Sequence, residues 1–98
     1  MQIWLLPKLK QKEKNMYKVR IEKSVLKTLE KINEPYYSKI KKAILHLASE
    51  PRPKGCLKLK GREGYRIRVA DYRIIYDVFD NTLLIEVIDL GHRKDIYD

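Results

Sequence analysis

One cysteine, two histidines, four glycines and four prolines in 98 residues exclude several kinds of chemistry at once. Cys56 by itself can neither close an internal disulfide nor build a zinc site. His46 falls within a helical stretch and His92 near the end of the chain, neither at ligand spacing from a Cys or a second His. No metal or other cofactor is therefore expected. Gly61 and Gly64 flank a turn and do not lead from a strand into a helix, so they do not make a phosphate-cradling loop. No Ser–His–Asp arrangement can be drawn, and there are no internal repeats or low-complexity segments. No apolar run is long enough to cross a bilayer, so no membrane partner is expected. The lone Cys56 suits a reducing cytosol, and a cytoplasmic location is expected.

Base is what the chain has in abundance. Twenty-two Lys and Arg against 13 Asp and Glu give a net charge of +9 and a pI near 9.7. Such a surplus points to a polyanionic partner, either nucleic acid or an acidic protein. The two halves differ in kind. Eleven of the 12 basic residues in 1–50 are lysines, whereas six of the 10 in 51–98 are arginines. A lysine on a helix is commonly just solvated. An arginine set into a strand says more, because its planar fork matches phosphate oxygens two at a time.

The length suits one domain. Residues 1–15 stand apart: a short apolar run, Pro7, then a lysine-rich stretch. They read as a flexible or mis-annotated extension, with the folded domain spanning residues 16–98 from Met16. Tyr17, Val19 and Ile21 alternate with charged residues, the mark of a half-buried strand. Ser24 is a candidate N-cap for a helix with Val25, Leu26, Leu29 and Ile32 on one face. After Pro35 a second helix runs to about Ser49, with Ile40, Ala43, Ile44, Leu47 and Ala48 as its apolar stripe. Four strands follow: Cys56–Lys60, Tyr65–Ala70, Tyr72–Phe79 and Leu83–Leu90, with turns at Gly61–Gly64, Asp71 and Asp80-Asn81. The expected fold is α+β. An N-terminal strand, a helical hairpin and a four-strand antiparallel meander form one antiparallel sheet with the helices on one face. The other face is left to carry charge.

Period two places Lys58 and Lys60 on one side of their strand and Arg66 and Arg68 on one side of theirs. With Arg73, His92, Arg93 and Tyr97 these rows can converge on a concave basic surface suited to a sugar–phosphate backbone. The same rows also suit plain solvation or an acidic docking partner, and spacing does not choose between these readings.

The segments KSVLKTLEKI (23–32), LKLKGREGYRIRVADYRIIYDV (57–78) and IDLGHRKDIYD (88–98) resemble the RelE/ParE toxin superfamily, closest to its RelE branch. The resemblance covers residues 16–98 in order. It implies the fold just described and a type II toxin–antitoxin toxin that cleaves mRNA in the ribosomal A site without metal. It also implies a cognate acidic antitoxin, with operator DNA contacted only through that antitoxin. Carried over residue by residue, the resemblance assigns catalysis to Lys58, Lys60, Arg68, Arg93 and Tyr97, and RNA binding to Arg66, Arg73 and His92. The alternative within the superfamily is a ParE-like toxin that binds and inhibits DNA gyrase without chemistry of its own.

Overall fold

The computed structural model describes residues 2–5, as backbone, and residues 16–92. Among them are six strands and two helices. They run β1 (Gln2–Leu5), β2 (Lys18–Glu22), α1 (Lys23–Glu30), α2 (Tyr36–His46), β3 (Leu57–Lys58), β4 (Tyr65–Val69), β5 (Tyr72–Phe79) and β6 (Leu84–His92). No helix among the described residues is long and apolar enough to cross a membrane.

The α+β layering is as expected: one sheet, in the order β1-β2-β6-β5-β4-β3, with both helices on one face. The meander from β3 to β6 is antiparallel throughout. The wholly antiparallel sheet is not what forms, however. β2 lies beside β6 and runs parallel to it, so the sheet is mixed. The cause is burial. Val19 and Ile21 on β2, and Ile85 and Val87 on β6, are all fully buried. Pairing the two strands keeps these side chains under the helices, and the chain between them, the helical hairpin followed by β3 to β5, supplies the long crossover that a parallel pair requires. Within residues 1–15, where the sequence suggested an extension, Gln2–Leu5 pairs antiparallel with β2; residues 1 and 6–15 lie outside the described residues.

Element ends shift by small amounts for local reasons. α1 starts at Lys23, so Ser24 lies in its first turn, where its carbonyl accepts from Thr28 Oγ1, and does not serve as the cap. The Glu34 carboxylate accepts from the Ser38 N–H (3.1 Å) and hydroxyl (2.6 Å), closing the first turn of α2. α2 ends at His46, with Leu47 and Ala48 buried in the turn that follows. Only Leu57–Lys58 of the expected Cys56–Lys60 strand makes ladder bonds. The turn after β5 is a 3-10 segment, Asp80–Thr82, closed by Leu83 at φ 51°.

One bulge matters for the site. Tyr76 pairs with Val87 and Ile75 with Asp89, so Ile88 is the extra residue on β6. The inward parity of β6 changes there, from Ile85 and Val87 to Leu90 and His92. The principal core lies between helices and sheet, where Val25, Leu29, Ile40 and Ile44 meet Val19, Ile67, Ile74, Tyr76 and Val87. Each such side chain contributes about 1.5–3 kcal/mol of burial. Leu59, Ile75 and Ile88 form a separate small apolar cluster on the opposite, open face.

Candidate functional site

The pairings of β3 to β6 order the open face into rows. Arg68 lies opposite Arg73, and Arg73 opposite Gly91. In the next row Leu57, Arg66, Ile75 and Asp89 are successive partners. One row further, Asp77 faces Glu86, and Glu86 faces Arg20. Partners in a ladder project to the same side of the sheet. Two charge patterns follow. The Asp77 row is balanced: Arg20 bonds Glu86, and Arg62 bonds Asp77 at 3.0 Å. The Arg66, Arg68 and Arg73 rows bring three guanidinium-bearing side chains, with the one carboxylate of Asp89, onto a common patch.

Arg66 shows the strain of that grouping. It is only 7% exposed. Burial lowers its pKa, and the neighbouring charges of Arg73 and Arg68 lower it further. Arginine stays protonated all the same, so the patch is a fixed positive centre and no proton carrier. Its chemistry is to hold an anion and to stabilise added negative charge on it.

The chain matches the profile of the ParE toxin of type II toxin–antitoxin systems over residues 19–97. It is also similar to solved RelE structures. The RelE–RelB complex from Pyrococcus horikoshii shares 30% identity at a TM-score of 0.71, covering 83% of this chain and 99% of that one. The RelB–RelE complex from Methanococcus jannaschii shares 30% at 0.64, covering 80% and 94%. The isolated E. coli RelE toxin shares 25% at 0.67, covering 79% and 83%. No curated protein sequence matches it significantly. The chain belongs to the RelE/ParE toxin superfamily. It is a toxin of a toxin–antitoxin system.

The site residues named from the sequence fall into three groups in this RelE/ParE-family toxin. Arg66, Arg68 and Arg73 come together on the open face. Lys58 does not join them. Its ladder partner is Tyr65, whose ring stacks on Tyr76 on the helix-facing side (centroids 5.9 Å apart, 30° between planes). Lys60 lies past the end of β3 and is exposed. The edge strand is thus only two residues long and holds Lys58 alone, so period two does not carry through to Lys60. His92 pairs with Tyr72 and meets its ring edge-on at 5.7 Å, on the helix-facing side opposite the arginines. The bulge at Ile88 puts it there. Arg93 and Tyr97 lie outside the described residues.

A polar cluster that the sequence did not suggest joins three loops. The Arg52 guanidinium donates to both Asp80 carboxylate oxygens (3.2 and 2.9 Å) and to the Tyr65 hydroxyl (2.9 Å), and lies 5.0 Å from the centre of that ring. The Tyr17 hydroxyl donates to the same carboxylate at 2.6 Å. These bonds hold the Asp80 pKa below the ordinary carboxylate range, Arg52 first and Tyr17 second. Beside them, the buried Tyr76 hydroxyl donates to the Pro51 carbonyl at 2.7 Å, and burial raises its pKa well above the usual phenol value. Arg52 sits between Pro51 and Pro53 in a stretch with no periodicity, so no sequence signal marked it. Among the described residues no three His, Cys, Asp or Glu side chains are grouped to hold a metal.

Proposed function

We propose that this toxin is an mRNA endoribonuclease whose phosphate site is the Arg66, Arg68 and Arg73 cluster, completed by Arg93 and Tyr97 from the C-terminal segment. The observation that carries this reading is Arg66, 7% exposed and pressed by the charges of Arg73 and Arg68. Three guanidinium groups on one patch, one of them largely buried, present a fixed positive charge to a phosphate, whereas a surface made only for solubility would spread its charges. The similarity to RelE structures supports the same conclusion.

RNA supplies its own nucleophile. The 2′-oxygen loses its proton and attacks the adjacent phosphorus, the bond to the 5′-oxygen breaks, and that oxygen takes up a proton. The products are a 2′,3′-cyclic phosphate and a 5′-hydroxyl. The five-coordinate phosphorus carries an extra negative charge on the way, and fixed guanidinium groups stabilise it more than they stabilise the starting diester. One well-placed donor of this kind is worth roughly 3 kcal/mol, or on the order of a hundredfold in rate. The arginines neither give nor take the two protons, so a ribosome that orients the messenger in the A site supplies much of the remaining acceleration by positioning. A cognate acidic antitoxin, as RelB is the partner in the Pyrococcus horikoshii and Methanococcus jannaschii complexes, would neutralise the same charge.

The match to the ParE toxin profile favours a second reading, inhibition of DNA gyrase by binding alone. A cell-free translation reaction separates the two. Messenger cut within its coding region, with cyclic phosphate ends, is the expected result. Intact messenger together with arrested supercoiling by purified gyrase would transfer the protein to the second class.

A further inference from the structure

We infer that Tyr36, Tyr72 and His92 form a nucleobase-stacking subsite at the rim of the sheet, next to the arginine cluster. The inference rests on the endoribonuclease reading and gives its substrate a base contact as well as a phosphate contact.

Three rings stand in a row there. Tyr36, the first residue of α2, meets Tyr72 of β5 with centroids 6.0 Å apart and planes at 48°. Tyr72 meets His92 at the end of β6 at 5.7 Å and 72°. Both spacings are those of favourable aromatic pairs. Tyr72 is half-buried and packs on the principal core, so it fixes the row to the sheet. Tyr36 is 42% exposed, the open end of the row. A ring that served only the core would be covered. Lys39, one helical turn beyond Tyr36, is exposed and available to a neighbouring phosphate.

The row is next to the phosphate site by construction. Tyr72 precedes Arg73 directly, and Gly91, opposite Arg73, precedes His92 directly. Consecutive residues in a strand project to opposite faces. Along the rim, therefore, arginines lie on one side and aromatic rings on the other. A single strand of RNA crossing the rim leaves a phosphate with Arg68 and Arg73 and lays the flanking base on Tyr36. Stacking needs only a π-face, so this subsite accepts any base, and a purine best because its ring is larger.

The test uses the full-length toxin and two short labelled single strands, one an oligoribonucleotide and one with the same sugar–phosphate backbone but no bases. Wild type is expected to bind the base-bearing strand about tenfold more tightly. Tyr36→Ala should erase that preference while leaving affinity for the base-free strand unchanged and the protein folded by circular dichroism. Tyr36→Phe, which keeps the ring, should restore it. The inference is overturned if Tyr36→Ala keeps the preference, if wild type shows none, or if Tyr36→Leu restores it as well as Phe. Cleavage is read separately on translated messenger. A wild type that cleaves but shows no preference sinks the subsite alone, and a wild type with a clear preference but no cleavage sinks the endoribonuclease alone.

Discussion

Salt dependence offers the sharpest check on where the phosphate is held. Each phosphate neutralised on a single strand releases condensed counterions, and log K falls against log salt with a slope of about −0.7 per contact. The structure places three arginines on one patch of the open face, so the cluster's share of the slope is about −2. Arg68 is the residue to remove, because it is exposed and its truncation leaves the packing around Arg66 in place. Arg68→Ala should make the slope shallower by about 0.7, and an Arg68→Ala/Arg73→Ala pair by about 1.4. Between 50 and 200 mM salt the single variant should then lose about threefold less affinity than wild type does. Fluorescence anisotropy of a labelled oligoribonucleotide reads this directly. Lys58→Ala is the contrast, since Lys58 lies on the other side of the sheet from the cluster. A slope unchanged by loss of Arg68 and Arg73 but flattened by loss of Lys58 would refute the assignment of the phosphate site to the arginines.

Three further outcomes concern the frame that holds the site. Tyr76→Phe removes the hydroxyl of a fully buried tyrosine that donates to the part-buried Pro51 carbonyl, and should cost about 1 kcal/mol, or about 4–8 °C in Tm by calorimetry. Gly64 sits at φ +122°, and an added Cβ there would come within 2.8 Å of Asp77 Oδ1 and 3.3 Å of the Tyr76 carbonyl. Gly64→Ala should therefore destabilise by more than about 1 kcal/mol, measured by denaturant unfolding. Asp80 has a folded pKa held down by Arg52 and then Tyr17, so its stabilising effect is present above the ordinary carboxylate pKa and is lost as pH falls through the folded value. Asp80→Asn should show a small Tm deficit at pH 7 that closes below about pH 4.

Much of this protein was legible in its residues, because the signals are local. Val19 and Ile21, Val25 and Leu29, and Ile40 and Ile44 repeat at the periods of strand and helix, and all six are buried where those periods place them. The alternation in YRIRV and DYRIIY put Arg66 and Arg68 on one face of β4 and set Arg73 on the strand beside it. The family resemblance followed from the same segments.

What local signals could not carry was decided by contacts between distant parts of the chain. That β2 runs parallel to β6 depends on two buried strands, whose paired residues are 66 positions apart, packing side by side under the helices. The side on which Lys58 stands depends on its register with Tyr65, and a two-residue strand has too little pattern to announce that register. His92 changed faces because one extra residue, Ile88, entered the ladder, and an apolar residue in an apolar strand gives no sign of being unpaired. The bond from Arg52 to Asp80 and the meeting of Tyr36 with Tyr72 join elements that only packing brings together. Periodicity fixes which way a side chain leaves its own element. Only the assembled sheet fixes which other side chains it finds there.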